Sequence, residues 1–142
     1  MVGINDLRIN EAFISTTRGG DAEEQLTPSS PIFINVDVQA GSAAFSGGIA
    51  YRLHVILLDH TASFTNRFSQ VVTGHLGPGD PWNTPDHLFT FPLPAGPGVQ
   101  PAVGTSTTPG PDSLLSIEAV LTSGVSGQGV NVFDGSEVVV VP

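Results

Sequence analysis

The stretch IFINVDV at residues 32–38 decides the fold of this chain. One of its faces is entirely apolar and carries Ile32, Ile34, Val36 and Val38. The other face is mixed and carries Phe33, Asn35 and Asp37. Because successive side chains of a β-strand point to opposite sides, this period of two predicts a strand with one face in a core.

The same alternation recurs along the rest of the chain. Further strands are predicted at residues 49–58, 68–73, 87–93, 113–122, 130–133 and 137–141. Small residues at 41–48 suit a hairpin or a crossover between two of these strands. Near the N-terminus Leu7, Ile9 and Phe13 share a strand face, whereas Asp6 is placed to cap one short helical turn, and both interpretations stay open.

The turn-forming residues predict many short elements rather than long helices. The chain has 17 glycines and 12 prolines, and they concentrate in two long loops at residues 74–86 and 94–112. We therefore predict an all-β protein, a single antiparallel β-sandwich of about seven or eight strands. Residues 1–26 form an N-terminal arm or first strand of the same domain, and residues 27–142 form the sandwich.

The succession of strong strands with a Val-rich last strand resembles an immunoglobulin-like or fibronectin-type sandwich over residues 32–141. The antibody-type hallmarks are missing, because the chain has no cysteine, Trp82 lies in a loop, and Tyr51 precedes the strand that carries a tyrosine corner. Such sandwiches include adhesion, viral structural and carbohydrate-associated modules. The resemblance therefore implies a binding or scaffolding role.

The charge balance excludes several classes of partner. The chain has a net charge of −9, no lysine and four arginines, Arg8, Arg18, Arg52 and Arg67. This charge repels phosphate, so we expect no nucleic-acid binding and no binding or insertion at an anionic membrane. Neither a signal peptide nor a membrane-spanning apolar run is recognisable, which predicts cytoplasmic synthesis, with a virion or a surface assembly as open destinations.

No catalytic constellation is recognisable in the sequence. Ser126 lies in a Gly-Val-Ser-Gly segment that lacks the final glycine of a nucleophile elbow. His54 and His60 are six residues apart on one strand face, about 20 Å in an extended chain, too far for one mononuclear metal site. We predict that the protein is not an enzyme, and an enzyme using His75 or His87 is the weakest of three hypotheses.

Trp82 is the most singular candidate for binding a ligand or partner. It follows Pro81 on a loop stiffened by prolines, where a rigid exposed indole can anchor a protein or stack on a sugar ring. The alternative is that Trp82 folds back and closes the open end of the sandwich, which burial of so large an apolar surface favours.

Other residues of the 74–87 segment are candidates for the same role. They are His75, Asp80, Asp86 and His87. Asp80, Asn83 and Asp86 offer oxygen ligands for calcium, although Asp and Asn beside Pro and Gly equally build turns. We predict no cofactor and no metal site, and leave calcium open as a ligand.

The last strand is a candidate assembly edge. It carries Val138, Val139, Val140 and Val141. An uncharged apolar strand at a sheet edge invites pairing with another chain, and no lysine is present to oppose it. Either this strand pairs inside the sandwich, or a neighbouring subunit pairs with it or with the N-terminal arm.

These observations favour a non-enzymatic structural or protein-interaction module. Its partner is expected to be protein, chiefly through self-association into a homo-oligomer or larger assembly, for example a virion decoration or surface scaffold. The second hypothesis is a small-ligand-binding module for carbohydrate or calcium, using the 74–87 loop.

Overall fold

The structure is a computed structural model that describes residues 6–22, 25–26, 32–59, 65–93, 114–123, 131–134 and 138–140. The described chain is almost entirely β-structure. Its elements in chain order are β1 (Leu7–Ser15), β2 (Gln25–Leu26), β3 (Ile32–Ala40), α1 (Ser42–Ser46), β4 (Ala50–Asp59), β5 (Thr65–His75), β6 (Asp86–Leu93), β7 (Leu114–Ser123), β8 (Asn131–Asp134) and β9 (Val138–Val140).

The strands form two sheets. One has three strands in the order β1-β3-β6, and the other has six, in the order β2-β9-β7-β4-β5, with β8 also paired to β7. All pairings are antiparallel except the two-residue pairing of β2 with β9, which is parallel. The all-β prediction is therefore confirmed.

Alternating sequences produce the central strands of both sheets. In β3 the predicted apolar face is buried throughout, and in β7 the side chains of Leu115, Ile117, Ala119 and Leu121 are buried in the same way. Buried residues from both sheets belong to a single hydrophobic cluster. Since full burial of one such side chain is worth about 1.5–3 kcal/mol, this cluster is the main source of stability.

The segment between β3 and β4 is a crossover and not a hairpin. It leads from the three-stranded to the six-stranded sheet and contains the five-residue helix α1, which the sequence did not predict. Ala44 is the helix's buried residue, so this turn of helix adds to the core. Gly47 and Gly48 end it, and Gly48 has a φ of 58°, which glycine adopts without strain.

The N-terminal segment is a strand over the described residues, and it contains a β-bulge. The register of β1 on β3 shifts between Ile9 and Glu11, so one extra residue lies in β1. The shift places Ala12 and Ile14 in the core, and Phe13 falls on the opposite, outer face. The expectation that Phe13 shares a face with Leu7 and Ile9 is therefore wrong, because a period of two does not survive a bulge.

A buried polar network lies on the outer face of the three-stranded sheet. Asn35 of β3 is fully buried, and its amide Nδ2 donates to Ser15 Oγ of β1 at 2.8 Å. Thr90 Oγ1 of β6 donates to Asn35 Oδ1 at 3.0 Å, and Ser15 Oγ donates to the Thr17 carbonyl at 2.6 Å. These bonds link all three strands and the turn that follows β1, with no unpaired buried side-chain N or O atom among the described residues.

Candidate functional site

The loop from Leu76 to Pro85 folds back on the end of the two sheets. The amide of Leu76 donates to the Ile49 carbonyl at 3.1 Å, and that of Gly77 donates to the Trp82 carbonyl at 3.2 Å. Gly77 and Gly79 have φ values of 129° and 90°, a region that residues with a side chain rarely adopt. This loop is thus shaped by its glycines and tied to the core.

Trp82 is completely buried. Its ring makes edge-on contacts with Tyr51 at 5.1 Å and with Phe89 at 6.1 Å between centroids, and its Nε1 donates to the Pro85 carbonyl at 3.4 Å. The interpretation in which Trp82 folds back on the core is confirmed. The alternative prediction, that Trp82 is an exposed platform for a sugar or a protein partner, is wrong. Burial of the large apolar indole is more favourable than its exposure to solvent.

Asp80 holds this end of the molecule together. Its Oδ2 accepts hydrogen bonds from the Tyr51 hydroxyl at 2.6 Å and from the Trp82 amide at 2.9 Å, while Oδ1 accepts from the His75 amide at 3.3 Å. A Cβ at position 74 would overlap Asp80 Oδ1, so Gly74 is needed for the close approach. Burial of Tyr51, followed by its hydrogen bond to Asp80, raises the Tyr51 pKa above its ordinary value.

The remaining loop candidates do not join Asp80 in a common site. His75 and Asp86 are exposed, and His87 is half-buried with its ring edge-on to Phe89 at 4.5 Å. Burial lowers the pKa of His87, and the Asp80 carboxylate opposes that shift. Within the described residues no group of three or more His, Cys, Asp or Glu side chains could hold a metal ion. Calcium binding by Asp80, Asn83 and Asp86 stays a prediction, with Asp80 already accepting three protein hydrogen bonds.

A histidine–serine pair lies on the outer face of the six-stranded sheet. His54 Nε2 and Ser69 Oγ are 2.9 Å apart on the neighbouring strands β4 and β5. The tautomer of the ring decides which of the two donates. The other residues considered for chemistry, His60 and Ser126, lie outside the described residues, as does the loop at 94–112.

The Val-rich last strand is an internal strand of its sheet. Strand β9 pairs with β7 through Leu114 and Leu115 on one side and with β2 through Gln25 and Leu26 on the other. The prediction that Val138, Val139 and Val140 form a free assembly edge is therefore wrong, and the alternative of internal pairing is confirmed for these three. Val141 lies outside the described residues. Strand order is a long-range property, which the local sequence does not contain.

The long edge of the six-stranded sheet is β5. In the part of the chain that the structure describes, β5 ends the sheet and pairs with β4 alone. Its eleven residues, TNRFSQVVTGH, include no lysine, proline or carboxylate. Val71 in the middle of this strand is 42% exposed. The sequence contains a signal for this edge, because lysine, proline and carboxylates are residue types that protect an edge strand, and β5 contains none of them.

Comparisons with known proteins give a likeness of fold. No family model matches the chain, and a comparison with curated proteins found no match. The chain is similar to a β-glucuronidase of Bacteroides uniformis, with a TM-score of 0.54 and 10% identity over 91% of this chain. A second Bacteroides uniformis structure, β-glucuronidase 2 covalently bound to cyclophellitol-6-carboxylate aziridine, gives a TM-score of 0.52, also at 10% identity.

In both cases this chain spans 14% of the length of the glucuronidase. At this level of identity the likeness concerns the fold alone. Among the described residues, no helix has the length and apolar character needed to cross a membrane.

Proposed function

We propose that this chain is a non-enzymatic structural or protein-interaction module that serves as a subunit of a homo-oligomer or of a larger assembly, such as a virion decoration or surface scaffold. Its finer architecture in this proposal is an immunoglobulin-like sandwich. The observation that carries the proposal is the edge strand β5, eleven residues long, whose regular part at residues 68–75 contains no lysine, proline or carboxylate. An edge of this kind is stabilised when another strand completes its hydrogen bonds.

Two further observations support a module over a ligand-binding protein. The one tryptophan is buried and closes the core, so it does not provide the aromatic platform expected of a carbohydrate site. The carboxylate best placed in the loop, Asp80, is engaged by Tyr51, Trp82 and His75.

The proposal is tested by the native mass of the purified protein. Multi-angle light scattering over a hundredfold range of concentration should give a mass above that of one chain, rising with concentration. A mass of one chain at every concentration would refute the proposal.

A further inference from the structure

Strand β5 is the least protected sheet edge of the described chain: its bulge and its one charged residue, Arg67, lie near its start, and residues 68–75 contain no lysine, proline or carboxylate. The other edge strands are better guarded: β6 contains Pro92 and begins at Asp86, β1 carries a bulge and contacts β7 and β8, β8 has four residues and ends at Asp134, and β2 has two residues. Proline and bulges are devices that prevent strand pairing. β5 is also the longest strand described, and it pairs regularly with β4 from Phe68 to His75.

The register of β5 shows which of its side chains face outward from the core. Val71 lies opposite His54, and Gln70 lies opposite the buried Val55. Ser69, Val71 and Thr73 therefore share the outer face, since side chains alternate along a strand. Val71 and Leu88 are the two large apolar side chains that are exposed among the described residues; Val71 lies in the regular part of β5, and Leu88 lies on the edge strand β6, which contains Pro92.

Symmetry restricts how two copies of this edge can meet. In a two-fold antiparallel pair the same strand faces itself, and residues directly opposite each other must lie on the same face of the sheet. A two-fold axis at Val71 satisfies this condition. It places Val71 against Val71 of the other copy, Ser69 against Thr73, and Gln70 against Val72. A pair of β-branched side chains then lies at the centre of the interface, where cross-strand contacts are favourable.

We propose that β5 pairs antiparallel with β5 of a second copy of this chain, with the two-fold axis at Val71, so that the two six-stranded sheets form one continuous sheet. This inference rests on the proposed function and names its partner. In this dimer, β5 of the second copy covers Val71 on the outer face and completes the backbone hydrogen bonds of the β5 edge.

The charge distribution favours β5 over the edge strands β1, β6 and β8, which contain Glu11, Asp86 and Asp134. Each chain has a net charge of −9, yet residues 65–75 contain no carboxylate and include Arg67. Two copies can approach through β5 without placing acidic side chains opposite each other. The remaining repulsion is long-ranged, so the dimer should become stronger as salt screens it. A basic protein partner would show the opposite salt dependence.

Single cysteines test the register directly, because the chain has no cysteine of its own. Directly opposed residues have Cα atoms about 4.5–5.5 Å apart, within the range of a disulfide. Val71→Cys should therefore form a disulfide-linked dimer in a glutathione redox buffer. Ser69→Cys and Thr73→Cys are matched controls on the same face, each offset from its own copy by four residues, about 13 Å. Neither should cross-link alone, whereas the double variant Ser69→Cys/Thr73→Cys should.

The outcomes separate this inference from the proposed function. Cross-linking of Val71→Cys at least tenfold faster than of either control supports the β5 pairing. Equal rates for all three single variants, with light scattering still giving a dimer, overturn the inference and leave the proposed function standing. A monomer at every concentration overturns both. Circular dichroism of each variant confirms that it is folded, and Val71 is exposed enough for the substitution to be tolerated.

A charge at the axis gives an independent test. Val71→Lys places two ammonium groups against each other in the paired dimer, as natural edge strands do to avoid pairing. The dimer dissociation constant should rise at least tenfold, whereas Val71→Thr, which keeps a β-branched side chain, should change it far less. An unchanged dissociation constant for Val71→Lys would overturn the inference.

Discussion

Asn35 shows how one polar residue can hold three strands together. Its amide bonds Ser15 of β1 and Thr90 of β6, and it is fully buried under the turn that follows β1. The sequence placed Asn35 on the mixed face of its strand, where an exposed residue is expected. Nothing local to residues 32–38 indicates that the 16–20 turn covers that face, so this network was beyond prediction.

Asn35→Ala should destabilise the fold by about 1–3 kcal/mol, because it removes the donor to the buried Ser15 hydroxyl and the acceptor of the half-buried Thr90 hydroxyl. Urea denaturation followed by circular dichroism measures the loss. Gln39→Ala, two pleats further along the same face of β3, is the control and should cost far less. Equal losses for the two variants would contradict the role of the network.

Tyr51→Phe tests the bond that ties the loop to the core. Removing a hydroxyl that donates to a carboxylate should cost about 1.5–3 kcal/mol. Because the pKa of Tyr51 is raised, its hydroxyl makes its full contribution to stability at any pH below the ordinary pKa of 10.0. That contribution is lost as pH rises through the higher pKa of the folded protein. The difference in stability between wild type and variant should therefore be constant from pH 7 to pH 10 and shrink above it. A difference that grows above pH 10 would contradict this assignment.

Asp37 is an acid in an unfavourable position. Its burial, followed by repulsion from Asp86 and Glu11, raises its pKa above the ordinary 3.8. A raised acid pKa lowers stability once the group is ionised, so Asp37→Asn should raise the melting temperature at pH 7. The gain should disappear as pH falls below 3.8, where Asp37 is protonated in both states. A variant that melts below wild type at pH 7 would be evidence against this prediction.

At the scale of the element, the alternation of apolar and polar residues predicts the regular strands and fails where the chain departs from regular strand geometry. β3, β4 and β7 begin and end within two residues of their predicted bounds, because a strand with one buried face has a clear period of two. The bulge in β1 moves Phe13 to the wrong face, and the short α1 has no pattern long enough to recognise. The neighbours of β9 depend on strand order, which is set by contacts far away in sequence.

The loop that carries Trp82 behaves as part of the core. Trp82→Ala should cost about 3–5 kcal/mol, as large-to-small changes of buried aromatics do, since it leaves a cavity beside Tyr51 and Phe89. Trp82→Phe fills most of that space and should lose less. Thermal unfolding by calorimetry measures both. A Trp82→Ala variant as stable as wild type would show that the loop does not close the core.

At the scale of the whole molecule, composition predicts the all-β class of fold, whereas the edge proposed for assembly emerges only from the sheet order. The sequence predicts an unguarded assembly edge at Val138–Val141, but Val138–Val140 pair with strands on both sides. Among the edge strands of the described chain, β5 is the long one whose regular part, residues 68–75, lacks carboxylates and prolines. The proposed interface therefore follows from topology and composition together.

Sedimentation equilibrium of the wild type and of Val71→Lys, each at low and at high salt, tests whether the chain assembles through β5. We expect a monomer–dimer equilibrium for the wild type that shifts toward dimer as salt rises, and a monomer for Val71→Lys under the same conditions. A wild type that sediments as a monomer at all concentrations and salt levels would contradict the claim that this chain assembles through β5.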